Sequence, residues 1–355
     1  MTTAAPNSNR AIMIVGLKWL LAIGLLSALL WNSRDNLAEL STRTILVQAF
    51  LVALGIRFLS LMATFSRWRL LVQGIDLPLS IRETFRLGML GEACNLMGPG
   101  AVGGDLVKAA LLAKDHPRRI ASVMATVFLD RVLGMWALFV LGAIASLSPA
   151  GTKPGPELQW TVWALWGGAI AGLIGIGLMF VPAFTHSRLM HWLTTWKFVG
   201  RVVKELMDSI SLYQGKPQIV IGAAVLGLIG HFGFLTSFYF CAKAIHSGQN
   251  YPSYIDHVVG LPLPEAFSAA IPSPGGLGAL ETAVAWFYQQ HQMSIDPQST
   301  PQQLSTAFSN GGLTALAYRL TMMVWGAVGI VYYFVSKDEI EKAVEGVATE
   351  SIPVP

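Results

Sequence analysis

The sequence predicts an all-α integral membrane protein, a polytopic helical bundle of about six full spans plus two broken re-entrant helical hairpins in an inverted repeat. Three observations predict it. The 355 residues are 53% hydrophobic and only 12% charged, about half the charged share of an average soluble domain. Apolar stretches of about 20 residues, long enough to cross ~30 Å of hydrocarbon, recur along the chain. Two further apolar stretches are each interrupted by a proline–glycine turn. A net charge of +4 is too mild and too dispersed for nucleic-acid binding. Two cysteines, Cys94 and Cys241, make neither a disulfide framework nor a four-cysteine metal site.

Residues 1–9 read as a disordered N-terminus. One transmembrane unit follows over 10–336, and 337–355 read as a cytoplasmic tail. The first span is 11–31, retained because no small-residue cleavage site follows it. The second, about 45–66, is closed by Arg67-Trp68-Arg69, an expected interfacial anchor. The others are about 120–147, 160–182, 218–245 and 306–335. The broken segments are 83–113, with Gly98-Pro99-Gly100-Ala101-Val102-Gly103-Gly104-Asp105, and 253–290, with Pro272-Ser273-Pro274-Gly275-Gly276-Leu277-Gly278. Proline and glycine free backbone groups. Lipid tolerates free backbone only where protein or a wet cavity receives it, so each segment is expected to dip into the membrane and return. Residues 183–217 carry Arg188, Lys197, Arg201 and Lys204 among Leu189, Trp192, Leu193, Trp196 and Phe198. They read either as a basic amphipathic segment on the cytoplasmic leaflet or as a plain cytoplasmic linker.

Charge supports this layout. With a cytoplasmic N-terminus, 16 of the 24 Lys and Arg residues flank spans on the cytoplasmic side and 4 on the outer side, in accord with the positive-inside rule. The other four, Arg57, Lys108, Arg131 and Arg319, fall within membrane segments. Both termini are therefore expected in the cytoplasm. The first hairpin dips from the cytoplasmic side and the second from outside.

The hairpins also resemble each other. The first reads Pro99-Gly100-x-x-Gly103-Gly104-Asp105 and the second Pro274-Gly275-x-x-Gly278-x-x-Glu281. Each places a carboxylate at the start of a short helix. Each precedes a long span with an arginine near its middle, Asp130-Arg131 in one half and Tyr318-Arg319 in the other. At 1.5 Å per residue both arginines start ~17–20 Å deep. The halves run over about 45–147 and 218–335. Inverted repeats with broken helices are a transporter signature, with the substrate site near the midplane. Helix N-termini and glycine-rich turns aim N–H donors at anions.

A charge at the bilayer centre costs at least ~2.5–3.5 kcal/mol on the insertion scale, so each charged residue there needs a reason. Arg131 and Arg319 read either as contacts to a phosphate or other anionic headgroup or as structural ion pairs. Asp130 and Arg131 point ~100° apart on a helix and do not pair with each other. Asp105, Glu281 and the substrate are candidate partners. Asp105 and Lys108 stand at i,i+3 and can pair locally, and Asp105, Glu281 and Asn95 are also placed to cap helices. Pro99, Gly100, Gly103, Gly104, Pro274, Gly275 and Gly278 shape the turns, with N–H groups that can bind anions. Arg57 is expected to snorkel to the interface. Glu92 and Glu265 sit in the hairpins with no partner visible and read either as unassigned carboxylates or as proton-coupling groups, and His231 reads as a core histidine ahead of a proton relay. His186 and His191, at i,i+5, have the wrong spacing for one metal on a helix face, and no metal or cofactor is expected. There is no Walker-type Gly-x4-Gly-Lys-Ser/Thr, no Gly-x-Ser-x-Gly and no His-Glu-x-x-His, so transport would be passive or ion-coupled.

At Gly103-Gly104-Asp105-Leu106-Val107-Lys108, Asp130-Arg131-Val132-Leu133-Gly134 and Pro274-Gly275-Gly276-Leu277-Gly278-Ala279-Leu280-Glu281, the chain resembles the flippase-like transmembrane domain of bacterial lysylphosphatidylglycerol synthases. The resemblance runs over about residues 10–336. It implies movement of a lipid with a charged or glycosylated headgroup across the bacterial plasma membrane. Two-part members add a soluble aminoacyl-transferase domain. This chain stops at Pro355, so a stand-alone member without aminoacyl transfer is expected. Lys108 stands where many members are expected to carry arginine.

The leading expectation is a flippase-like transporter of a phospholipid or a polyprenyl-phosphate-linked lipid, not an enzyme. Its substrate-binding set is Arg131, Arg319, Asp105, Lys108, Asp130, Glu281, Asn95, Gly100, Gly103, Gly104, Gly275 and Gly278. The runner-up is an intramembrane enzyme with Asp105, Asp130 or Glu281 in acid–base roles. A third reading is a membrane anchor subunit. Oligomeric state and protein partners stay open.

Overall fold

The structure, a computed structural model, describes residues 43–335 except 98–102, 153–154, most of 182–209, 248–249 and 271–277. The expected span at 11–31, the segment 183–209 for the most part, the two hairpin turns with Gly100 and Gly275, and both termini lie outside the described residues. Among those described, helices run as α1 (Val47–Gly74), α2 (Ile81–Met97), α3 (Gly103–Asp115), α4 (Ile120–Ala145), α5 (Pro156–Met179), α6 (Pro217–Ile245), α7 (Tyr254–Gly260), α8 (Pro262–Ala270), α9 (Ala279–Ile295) and α10 (Pro301–Val335). Pro156, Pro217, Pro262 and Pro301 each open a helix. There the missing N–H is one the first turn would leave unpaired anyway.

Five of these segments are long and apolar enough to cross a membrane: Val47–Gly74, Pro117–Ala145, Leu158–Met179, Pro217–Ile245 and Pro301–Tyr332. The protein is a multi-pass, all-α membrane bundle. α5 is the most loosely held, with Trp163, Leu173 and Ile174 exposed, an apolar surface suited to lipid.

α1 runs past its expected end. The sequence places an interfacial anchor at Arg67-Trp68-Arg69, whereas the helix continues to Gly74 with Arg67 and Trp68 buried inside the bundle. The second hairpin also carries an unforeseen break. Between α7 and α8 the ladder is interrupted at Leu261-Pro262, where proline removes a donor.

Hydrogen bonds fix which ends of the helices meet. Arg119 donates to the Ile75 carbonyl at 2.8 Å, Tyr213 to Leu71 at 2.7 Å and Lys216 to Gly74 at 2.9 Å. The C-terminal end of α1 therefore lies beside the starts of α4 and α6. At the opposite end the Leu46 N–H donates to Ala244 at 2.8 Å, joining the start of α1 to the end of α6. α1 and α6, the first helices of the two halves, thus run antiparallel.

The helix pair α2–α3 leaves and rejoins the end marked by Ile75 and Arg119. The α7–α9 segment leaves and rejoins the other end. There Asp256, in the first turn of α7, accepts from the Thr152 backbone at 2.7 Å and meets His291 of α9 at 3.1 Å. Ser253 and Asp256 form a capping box at the same point. Asp256→Ala leaves several of these donors unmatched and is expected to cost about 1–3 kcal/mol, measurable as a lower unfolding midpoint in detergent.

Close backbone approach holds the broken helices in place. A Cβ on Gly104 would lie 1.8 Å from the Gly91 carbonyl oxygen, and one on Gly329 would lie 2.3 Å from that of Met89. α3 therefore presses on α2, and α2 on α10, through glycine, as small-residue packing between membrane helices requires. The two largest apolar clusters sit toward opposite ends of the bundle. One toward the α1 C-terminal end includes Trp68, Leu71, Val123, Val127 and Tyr213. The other, toward the opposite end, includes Phe238, Ile245, Val258, Phe287 and Leu313.

Candidate functional site

Between the two clusters lies a cavity of about 240 Å³, lined by both broken segments and by α1, α4, α6 and α10. Eight of its lining residues are charged: Arg57, Arg67, Lys108 and Arg131 against Glu92, Asp105, Asp130 and Glu265. Burying this many charges is costly unless they are paired, and most of them are.

Asp105 is the hub of the first hairpin. Its carboxylate accepts from Lys108 at 2.7 Å and from Arg131 at 2.5–2.6 Å. Lys108 is buried, and its ammonium sits 4.7 Å from the centre of the Trp68 ring. The Arg131 side chain keeps 31% of its surface exposed. The expected pairing of Asp105 with Lys108 and with Arg131 is therefore present. The capping role falls to Asn95, whose Oδ1 accepts from the Gly104 N–H at 2.9 Å.

Asp130 has a partner outside its own repeat motif. Arg67 donates to it through Nε at 2.7 Å and Nη2 at 3.0 Å, a two-pronged pair buried on both sides. Arg67 in an Arg-Trp-Arg triplet after a long apolar stretch looked like a membrane-edge residue. Only the position of Asp130 on α4 draws it inward.

Arg57 is corrected in the same way. It does not snorkel; it is 3% exposed and donates to Glu92 at 2.7 Å. Its guanidinium also lies 5.2 Å from the Phe234 ring centre and 5.0 Å from that of Tyr318. Glu92, without a visible partner in the sequence, thus has one.

In the second hairpin, Glu281 accepts from the Gly278 N–H at 2.8 Å and also from Arg319. It is at once a helix cap and an ion-pair partner. Gly278 has φ +83°, a left-handed conformation that favours glycine. Arg319 is 3% exposed. Neither Arg319 nor Glu281 is among the described residues lining the cavity, while their neighbours Tyr318 and Leu280 are. Gly103, Gly104 and Gly278 lie at the described starts of α3 and α9. Gly100 and Gly275 fall outside the described residues.

The two halves match in register. Asp105 and Glu281 are each the third residue of their helix, in α3 and α9. Glu92 and Glu265 each lie 11 residues beyond the first residue of their segment, Ile81 and Tyr254. With Arg131 set against Arg319, Asp130 faces Tyr318. The Arg67–Asp130 ion pair then corresponds to the aromatic pair Phe238–Tyr318, whose ring centres are 4.6 Å apart with the rings tilted by 40°. Glu265 is the member that breaks the pattern. It lines the cavity, yet among the described residues nothing donates to its carboxylate.

Two donors point to what the cavity accepts. Arg57 Nε and Arg67 Nη1 are buried with no hydrogen-bond partner among the described residues. A Cβ on Gly134 would lie 2.9 Å from that Arg67 nitrogen, so glycine leaves room for the guanidinium to pack there. Buried guanidinium N–H groups left unmatched suit an anion's oxygens. Among the described residues no group of three or more His, Cys, Asp or Glu is placed to hold a metal ion.

A family model described as "Lysylphosphatidylglycerol synthase TM region" matches residues 13–290. All eight charged cavity residues fall inside that range, whereas Arg319 on α10 lies beyond it. No curated protein and no solved structure matches the chain.

Proposed function

Since this chain belongs to the lysylphosphatidylglycerol synthase TM-region family, whose membrane part is tied to lipid, we propose that it carries a lipid headgroup between the two leaflets. The substrate is a phospholipid or a polyprenyl-phosphate-linked lipid, and the setting is the bacterial plasma membrane with both termini in the cytoplasm. The protein acts as a transporter, not as an enzyme.

The observation that carries this reading is the charged cavity with its unmatched donors. Arg131, the most exposed of the paired arginines, meets the phosphate first. Arg57 Nε and Arg67 Nη1 offer further N–H groups behind it, and Lys108 sets the field around them. Asp105 holds Arg131 and Lys108 in place without cancelling both. Arg319, locked to Glu281, fastens α9 to α10 and meets a headgroup only in a state where Glu281 has let go. The two broken segments enter the bilayer from opposite faces and give the cavity access to each leaflet in alternation, as in other inverted-repeat carriers. The acyl or prenyl chains stay in lipid throughout.

The test is a flip assay in liposomes containing the purified protein. Fluorescent phospholipids of several headgroups are exposed to a membrane-impermeant quencher. The wild-type protein is expected to speed loss of inner-leaflet fluorescence. Arg131→Ala is expected to slow that rate at least tenfold, about 1.4 kcal/mol of lost headgroup stabilisation. Full wild-type rate in a folded Arg131→Ala protein would rule out this site. No acceleration with any phospholipid or polyprenyl-phosphate probe would rule out lipid transport.

A further inference from the structure

Glu265 is the one cavity carboxylate without a donor among the described residues. Its register equivalent, Glu92, is matched by Arg57 from the first helix of its half. Aligned so that Arg67 meets Phe238, the second half has Leu228 where Arg57 stands in the first. α6 therefore supplies no cation to Glu265 at that level. The charges in reach are Arg57 across the cavity and Arg319 on α10, and both already hold a carboxylate.

We infer that Glu265 is the proton site of the transport cycle, taking a proton when the anionic headgroup loads and giving it up when the headgroup leaves. The inference rests on the lipid-transport reading above.

The charge balance of the cavity supports it. With Glu265 ionised, four carboxylates face four cations and the cavity is neutral. With Glu265 protonated, one positive charge is left over, enough for one phosphate monoanion. In the uptake step a hydronium ion transfers its proton to a Glu265 carboxylate oxygen. An O–H bond forms there and water remains. Release is the reverse on the other side.

The other titratable groups around Glu265 are accounted for. From α2 comes Glu92 and from α1 Arg57, paired together. From α4 come Asp130 and Arg131, each paired. From α6 comes His231, which lines the cavity. From α9 comes Glu281 and from α10 come Tyr318 and Arg319. On α7, ahead of Glu265, His257 is bonded to Tyr288 and to the Ser253 carbonyl, and Asp256 to Thr152 and His291. None of them mirrors Glu265 as a carboxylate without a donor.

The test is infrared difference spectroscopy of the purified protein titrated between about pH 5 and 9, the range of buried carboxyls. The wild type is expected to gain a protonated-carboxyl band as pH falls. Glu265→Gln is expected to lose that band, and Glu265→Asp to move it. A wild-type spectrum with no titrating carboxyl overturns the inference whatever the variants do, as does a band that survives in Glu265→Gln. A carboxylate that stays ionised and responds to sodium instead also overturns it. In parallel, wild-type flipping of fluorescent phosphatidylglycerol is expected to vary with pH. Binding of the anionic headgroup should weaken up to tenfold per pH unit above the Glu265 titration, as one linked proton requires. Flipping that ignores pH in the wild type overturns the coupling. A titrating Glu265 in a protein that flips no lipid instead retires the lipid reading and leaves the proton site standing.

Discussion

Replacing Arg67 by methionine is expected to destabilise the protein by about 3–5 kcal/mol, the cost of stranding a buried charge when its partner is removed. Asp130 would lose both of its guanidinium contacts while remaining buried. Asp130→Leu alone is expected to cost a similar amount, because Arg67 would then be the stranded charge. The double variant Arg67→Met/Asp130→Leu is expected to recover most of the loss. Buried ion pairs replaced whole by apolar groups of similar size are often neutral in stability. The second half of this protein supplies the internal precedent, since Phe238 and Tyr318 pack ring against ring in the corresponding place. Thermal unfolding in detergent, followed by tryptophan fluorescence, measures all three. A double variant no better than either single one would mean that the pair is held for more than charge balance. The recovered variant is nonetheless expected to flip lipid poorly, because Arg67 Nη1 leaves the cavity with it.

Gly104→Val is expected to be the other severe change, costing about 3 kcal/mol or more, at the upper end of overpacking penalties. The new Cβ would lie 1.8 Å from the Gly91 carbonyl oxygen and 2.8 Å from Asn95 Oδ1. The first obstacle is backbone and cannot rotate away. α3 would be driven off α2, and with it Asp105, whose carboxylate organises Lys108 and Arg131. Stability and transport should fall together. Gly175→Ala provides the contrast, with nothing within 4 Å of its Cβ, and is expected to change the unfolding midpoint little. Gly278→Ala falls between them. Space is free around it, but its φ of +83° is strained for alanine, at about 1–2 kcal/mol. The order Gly104, Gly278, Gly175 in unfolding midpoints checks the assignment of close contact, backbone conformation and open space.

Much of this architecture was legible in the chain itself. The apolar stretches with sparse charge determine a membrane bundle, because only helices long enough to satisfy their own backbone survive in lipid. The Pro-Gly motifs mark where the two apolar segments are broken. The shared order of Pro-Gly motif, carboxylate and arginine marks Asp105 and Arg131, and Glu281 and Arg319, as corresponding pairs, although 26 residues separate the two in one half and 38 in the other. What only the tertiary structure decided is which charge meets which across the cavity. Arg57 and Arg67 read as edge residues in isolation, because a cation within or after an apolar stretch is indistinguishable in sequence from an interfacial anchor. Arg67 is buried because α4 brings Asp130 to it, 63 residues away, and Arg57 because α2 brings Glu92, 35 residues away. Glu265 stands apart for the opposite reason, since α6 brings no cation to its level. Span and turn follow from local composition. The pairing of buried charges depends on helix rotation and packing, and these are settled only when all the helices are in contact.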